Sequence, residues 1–266
     1  MEIKNLKIAI IGGGNLGRAV AEGFLKAGIE ASKIVITRRR TQLLNDLSSQ
    51  GVKVLKDNKT AVIDADLIIL SVKPYQAEEV ISEINSALKP GQFVASLMTG
   101  ITIAQLKKYL PLGVIPFRVM PNTAISLQES MTCIASPDCT EEQNEVIKEL
   151  FSTLGEVIFM NEELMVAATV LGACGIAFAL RFIRAAIQGG VEIGFSSDMA
   201  QQIVAQTVKG AAELILQTGH HPEQEIDKVT TPKGITISGL NEMEHRGFSS
   251  SLIKGLVTSY NKINQK

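Results

Sequence analysis

Short unbroken apolar runs alternate with amphipathic stretches through the first half of the chain. The runs at residues 7–11, 33–37, 66–72, 92–98 and 114–119 are rich in Ile, Val, Leu and Phe. A strand that is apolar at every position is buried on both faces, as in a parallel sheet. Helical patterns lie between these runs, near 18–27, 40–50, 75–88 and 102–109. Strand alternating with helix predicts right-handed crossovers and a doubly wound sheet. Two further runs, Met131–Ala135 and Val157–Met160, flank another helix. Thr140 is placed to cap it, with Gln143 at the capping-box position. Val146, Ile147, Leu150, Phe151 and Leu154 form its apolar stripe, and Gly155 follows its end.

After Met160 no strand pattern remains. Residues 162–188 and 198–218 read as long helices, with Gly219 placed to stop the second. A loop is expected around His220-His221-Pro222, then a last helical part from Thr236 to Asn264. The predicted fold is therefore α/β followed by all-α, with domains at 1–161 and 162–266. Helices this apolar in a small domain need a partner surface to cover them. A second copy is the simplest source, so a homodimer built through the C-terminal part is expected. The most apolar stretch, Val166–Leu180, is too short to span a bilayer and is followed by Arg181 and Arg184. It reads as a core or interface helix, and no membrane partner is expected.

The first apolar run leads straight into Gly12-Gly13-Gly14-Asn15-Leu16-Gly17, a G-x-G-x-x-G between a buried strand and a helix. That placement gives the motif its weight as a dinucleotide-binding fingerprint. Gly12 allows the tight turn, Gly14 lets backbone approach a pyrophosphate, and Gly17 lets helix and strand pack closely. The helix start at Asn15 and Leu16 then aims N–H groups at phosphate. The second strand ends in Thr37-Arg38-Arg39-Arg40, where an NAD site normally has a carboxylate for the ribose 2′-hydroxyl. Arg38, helped by Thr37 and Arg39, is suited instead to a 2′-phosphate, so NADP (NADPH) is the expected cofactor.

Composition narrows the class. The net charge of −1 over 266 residues gives no basic footprint for nucleic acid. Cys133, Cys139 and Cys174 are scattered and odd in number, which suggests free thiols in a reducing compartment. The first strand begins within a few residues of the N-terminus, leaving no room for a signal peptide. A cytoplasmic protein is expected. His220 and His221 are adjacent and His245 is distant, a spacing that suits no zinc site.

Several motifs in register resemble pyrroline-5-carboxylate reductases. They are Ile11–Gly17, Ser71-Val72-Lys73-Pro74, Arg118-Val119-Met120-Pro121-Asn122-Thr123 and Val229–Ile237. The resemblance covers nearly the whole chain. It implies a Rossmann domain followed by a helical dimerisation domain that interlocks with a second subunit. It also implies roles. Asn58 would lie near the cofactor ribose, and Val72-Lys73-Pro74 would face the nicotinamide side. Met120, Pro121 and Asn122 would line the space where nicotinamide and substrate meet. Pro232, Lys233, Gly234, Ile235 and Thr236 would bind the substrate carboxylate through backbone N–H groups at a helix start. Thr236 would hydrogen-bond the ring nitrogen. The implied reaction is hydride transfer from NADPH to 1-pyrroline-5-carboxylate, giving L-proline. From the residues alone, Pro74 also reads as the first residue of a helix, Pro121-Asn122 as a turn and Thr236 as a helix cap.

The chain departs from the family pattern on the substrate side. Gly172-Ala173-Cys174-Gly175-Ile176-Ala177-Phe178 stands where members typically carry Ser-Gly-Ser-Gly-Pro-Ala-Tyr. Lys233 stands where a glycine is usual; if that position needs positive φ, lysine is strained. Gly219 replaces a glutamate found near the substrate in some members. Two alternatives therefore stand beside the main reading: an NADPH-dependent reductase of a different imine, and a non-catalytic NADP-binding protein. A β-hydroxyacid dehydrogenase is disfavoured, because the interface helix offers Arg181 and Arg184 but no catalytic lysine.

Overall fold

The structure is a computed structural model and describes residues 3–265. It divides into two compact units. The first runs to Cys174 and takes in the end of the chain from Tyr260; the second is Gly175–Ser259.

The first unit is built on one eight-stranded sheet. Its strands are β1 (Ile8–Ile11), β2 (Ile34–Thr37), β3 (Lys53–Leu55), β4 (Leu67–Leu70), β5 (Phe93–Ser96), β6 (Ile115–Met120), β7 (Ser130–Ala135) and β8 (Gly155–Phe159). The order is β3-β2-β1-β4-β5-β6-β7-β8, parallel throughout except for the β6–β7 pair. Successive strand residues point to opposite faces, so each face has its own core. Ile8, Ile10, Ile34, Ile36, Ile69 and Phe117 pack with Val20 and Phe24 of α1 (Asn15–Lys26) and with Ile147, Leu150 and Phe151 of α6 (Glu141–Ser152). Ala9, Ile11, Ile68, Leu70 and Val94 pack on the other side. They meet Val62 of α3 (Asn58–Val62), Ile81 and Ile84 of α4 (Ala77–Asn85) and Leu106 of α5 (Ile103–Tyr109). The capping box expected for α6 forms: Gln143 N–H donates to Thr140 Oγ1 and Thr140 N–H to Gln143 Oε1.

The pattern missed β3, a three-residue edge strand whose first residue, Lys53, is exposed. Gly155 follows the end of α6 as expected and opens β8 at φ 134°, where a side chain would collide with the Ser130 backbone.

The first unit's last segment begins the long apolar stretch. Helical turns run through α7 (Met165–Ala168) and a π-turn at Thr169–Cys174. The second unit continues with α8 (Gly175–Glu192), α9 (Ser197–Thr218), α10 (Pro222–Lys228), α11 (Ile235–His245) and most of α12 (Phe248–Asn264). The expectation that the apolar stretch is too short to span a membrane fails on length. Glu162–Glu192 is a continuous helical run of 31 residues, long and apolar enough to cross one by length and composition alone. The flanking turns add residues that the apolar pattern left out.

Gly219 stops α9 in the left-handed conformation, φ 67°. The loop expected around His220–Pro222 forms over Gly219–His221, and α10 begins at Pro222, capped by His221, which accepts from Glu223 N–H at 3.3 Å. The final helical part breaks into α11 and α12 at Gly247, φ 79°. Within this unit Phe182 and Phe248 meet edge to face, ring centroids 6.2 Å apart. Among the described residues, only Ile187 and Ala200 of the second unit are buried apolar side chains.

Candidate active site

The sheet reverses its winding between β1 and β4, and a crevice opens at the carboxyl ends of strands at such a switch point. A cleft of about 1050 Å³ lies there. Its walls are the loops after β1, β2, β3, β4 and β5. Of the residues singled out for the cofactor, Gly12, Gly14, Asn15, Leu16, Thr37, Arg38, Arg39, Asn58, Val72, Lys73 and Pro74 line it.

The glycine turn is braced from β2. Thr37, itself buried, accepts from Gly12 N–H on its hydroxyl (3.2 Å) and from Gly13 N–H on its carbonyl (2.6 Å). Thr37 therefore holds the turn. Gly12 adopts φ +104°, and a Cβ there would stand 2.7 Å from Ser71 O. Gly14, by contrast, is exposed with open space around it. It is the N-cap of α1 and places no side-chain acceptor on the first N–H groups. Those N–H groups at the positive end of a helix suit phosphate.

The rim beyond β2 is basic. Arg38, Arg39 and Arg40 line it, with Lys56 from the end of β3. Arg38 donates to Gly13 O at 2.6 Å, so its guanidinium is fixed beside the turn. Asn58 donates through Nδ2 to Glu83 Oε2 at 2.8 Å, which orients its amide on the cleft wall. Lys73 and Pro74 begin a short 3-10 turn, Pro74–Gln76, with proline at its first position. Lys73 N–H donates to Gln76 Oε1 at 3.3 Å. The cleft thus offers a glycine turn, an open helix start and a cationic rim, which fit the parts of a phosphorylated dinucleotide.

Two expected cofactor residues do not line the cleft. Gly17 lies on the buried face of α1, where a Cβ would run into Gly12 O, so its part is helix packing. Met120 is 5% exposed and packs with Cys133 and Ala135 of the neighbouring β7 and with Met165 of α7. Asn122 is buried and caps a 3-10 turn, Thr123–Leu127, by accepting from Ala124 N–H at 3.0 Å. Its Nδ2 donates to Gly172 O in the π-turn at 3.2 Å. Asn122 therefore joins the end of β6 to the stretch that departs from the family pattern. Arg118 pairs with Glu162, 3.0 Å apart, in the same region.

Pro232, Lys233, Gly234, Ile235 and Thr236 belong to the second unit. Lys233 has φ 59°, the left-handed region that glycine favours. Gly234 N–H donates to Thr231 O at 2.9 Å, and a Cβ at Gly234 would stand 2.5 Å from Thr231 Oγ1. Gly234 is the N-cap of α11 without a side-chain cap. The reading of Thr236 as that cap is corrected: it sits in the first turn of α11, exposed.

Sequence reasoning missed Lys56, Ser71, Leu97, Met98, Thr99 and Thr123 on the cleft wall. All but Thr123 follow a parallel strand, so the switch-point rule would have found them once the strand order was known. Lys56 was hidden because β3 itself was not seen.

Two stretches of the chain match known families. Residues 7–100 match the family model described as NADP oxidoreductase, coenzyme F420-dependent. Residues 162–266 match the model for pyrroline-5-carboxylate reductase dimerisation. The chain is 43% identical to pyrroline-5-carboxylate reductase 1 of Dictyostelium discoideum, over 98% of the chain and 50% of that protein. It is 42% identical to pyrroline-5-carboxylate reductase 2 of the same organism, over 98% and 93%. It thus spans half the length of the first relative and nearly all of the second. Its fold matches the crystal structure of Plasmodium falciparum pyrroline carboxylate reductase with NADP bound. The TM-score is 0.88 at 24% identity, covering 98% of this chain and 97% of that one.

Proposed function

The chain belongs to the pyrroline-5-carboxylate reductase family, and from that membership we propose how its residues carry the reduction of a C=N bond. The substrate is 1-pyrroline-5-carboxylate and the product L-proline. When bound, NADPH would supply a hydride to C2 of the cyclic imine, the carbon of its C=N bond, which becomes the δ-carbon of proline. The protein's work is binding, alignment and proton control.

The helix start at Gly14-Asn15-Leu16 holds the pyrophosphate, and Gly14 leaves room for it. Arg38 and Arg39 face the 2′-phosphate, a group that a carboxylate at this position would repel. Asn58, oriented by Glu83, takes the ribose. Val72, Lys73 and Pro74 border the nicotinamide end, with Met120 supporting that end from the core. Asn122 positions the substrate end through its bond to the π-turn. Pro232, Lys233, Gly234 and Ile235 form the carboxylate loop, whose uncapped helix start favours an anion. Thr236 hydrogen-bonds the ring nitrogen and orients the N–H of the protonated imine, the better hydride acceptor. Loss of that bond, Thr236→Ala, is expected to lower kcat about ten- to hundredfold, while Thr236→Ser keeps most of it.

A functional boundary at 161/162 is supported by the start of the match to the dimerisation model at residue 162. The working form is a homodimer, able to assemble further, and its location is the cytoplasm. The near absence of a buried core in Gly175–Ser259 supports the dimer.

The observation that carries the cofactor reading is the cleft itself, which gathers the glycine turn and the cationic rim at one switch point. The test is NADPH oxidation by the purified protein with pyrroline-5-carboxylate and, in parallel, with larger cyclic imines. Proline formation, faster with NADPH than with NADH, is expected. Turnover confined to the larger imines would favour a different imine reductase. NADPH binding without any turnover would favour a non-catalytic role; the departures at Gly172–Phe178 and Lys233 keep both tests worth running.

A further inference from the structure

Two cations stand side by side at the ends of adjacent parallel strands. β2 and β3 pair with Thr37 opposite Leu55, and Arg38 N–H donates to Leu55 O at 3.0 Å. The next residue on each strand is Arg38 and Lys56, and both line the cleft. Neighbouring strands lie only about 4.8 Å apart, so the two side chains share one rim. They are not equivalent. Arg38 is committed to Gly13 O and so braces the phosphate turn, which any dinucleotide uses. Lys56 is exposed and makes no hydrogen bond or ion pair among the described residues.

The surrounding charges leave that ammonium available. The adjacent carboxylate, Asp57, is held as the cap of α3, accepting from Thr60 N–H at 3.0 Å, and does not line the cleft. Of the two carboxylates that do, Glu83 is bound to Asn58, and both Glu79 and Glu83 sit on α4 rather than on the β2–β3 rim. A compact, mobile ammonium beside a fixed guanidinium is an arrangement for a dianion.

We propose that Lys56 is a specificity-determining residue, reading the 2′-phosphate of the cofactor beside Arg38 and Arg39 and so separating NADPH from NADH, while Arg38 also braces the turn common to both. This rests on the NADPH reading above, and the two fail differently. The experiment titrates NADPH and NADH into wild type, Lys56→Met, Lys56→Arg and Arg38→Ala, following cofactor fluorescence. Lys56→Met is expected to weaken NADPH about five- to tenfold and to leave NADH within about twofold. That loss should shrink near 0.5 M salt, where exposed charges are screened to roughly 4–5 Å. Lys56→Arg should retain the preference, and Arg38→Ala should weaken both cofactors. NADPH affinity unchanged in Lys56→Met, or an equal loss for both cofactors, would overturn the assignment. A wild type that binds NADH as well as NADPH would instead remove the cofactor reading on which it rests.

Discussion

The motif glycines stand in different surroundings, and Gly17→Ala against Gly14→Ala separates their roles. At Gly17 an added Cβ overlaps Gly12 O and stands 3.2 Å from Ile10 Cγ2. Gly12 cannot yield easily, since its own position is closed by Ser71 O, 2.7 Å from where its Cβ would be. Backbone faces backbone, so the helix must shift on the sheet. Overpacking of this kind costs about 1–3 kcal/mol, and a rigid neighbour puts it near the upper end. At about 2–4 °C per kcal/mol, the melting temperature should fall by roughly 6–12 °C. Gly14 has φ −75° and ψ −165°, which alanine adopts freely, and nothing lies within 4 Å. Its loss as an N-cap costs about 1 kcal/mol or less, so the melting temperature should move by no more than about 4 °C. A methyl group there instead meets the pyrophosphate, and the NADPH Kd should rise about tenfold or more. Both readouts are taken at one protein concentration, because oligomer stability depends on it. If Gly14→Ala melts as low as Gly17→Ala, or binds NADPH like wild type, the division of roles is refuted.

Other outcomes follow from single contacts. Lys233→Gly relieves about 1–2 kcal/mol of left-handed strain and gives back roughly half in chain entropy. A net gain of up to about 1 kcal/mol should appear in urea unfolding, and a loss of that size would show that Lys233 is held by contacts instead. Glu162 accepts both from Arg118, which is 3% exposed, and from Ile103 N–H at 2.7 Å. Glu162→Gln should cost about 3–5 kcal/mol by leaving a buried charge unpaired, and adding Arg118→Met should restore part of it; denaturant titration of the single and double variants checks both. The Asp57 carboxyl lies below its usual range because the Thr60 hydroxyl and N–H donate to it. A folded pKa below the unfolded one means that its contribution is present above about pH 4 and disappears as pH falls through the folded value. Asp57→Asn keeps the cap, so acid titration of this variant should show a shallower loss of stability below about pH 4 than wild type.

The first unit was legible where burial is two-sided. β1, β4 and β5 are buried at every position, and a continuous apolar run has no other reading at that length. The cap at Thr140 was legible because its two hydrogen bonds are local. β3 was not, since its three residues are too few to show a period. α10 was not, because Pro-Glu-Gln-Glu-Ile-Asp-Lys carries one large apolar side chain and no stripe. In the cleft, the glycine turn is a local code and was readable. Lys56 and Thr99 enter only through strand order, which is a long-range property. The burial of Met120 is equally non-local: Cys133 and Ala135 of β7 and Met165 of α7 enclose it, and nothing near Met120 in sequence announces them.

The substrate side is harder for a physical reason that lies in the second unit. Ile187 and Ala200 are its buried apolar residues among those described, while Ile193, Leu216, Ile253 and Val257 are half or more exposed. A chain segment pays conformational entropy of about 1–2 kcal/mol per ordered residue, which two buried side chains cannot offset. Its order needs covering surface from outside the unit, and the match to a dimerisation model over 162–266 fits the proposed second copy as a source. The loop from Pro232 to Thr236 sits in this unit, with a left-handed lysine and an uncapped helix start. Strain of that kind persists only where surrounding structure over-determines it. Little within the unit can do so, because Lys233, Ile235 and Thr236 are all exposed. In the proposed dimer the second copy supplies that structure, so the residues of the loop carry no local signal of the conformation that would hold the substrate.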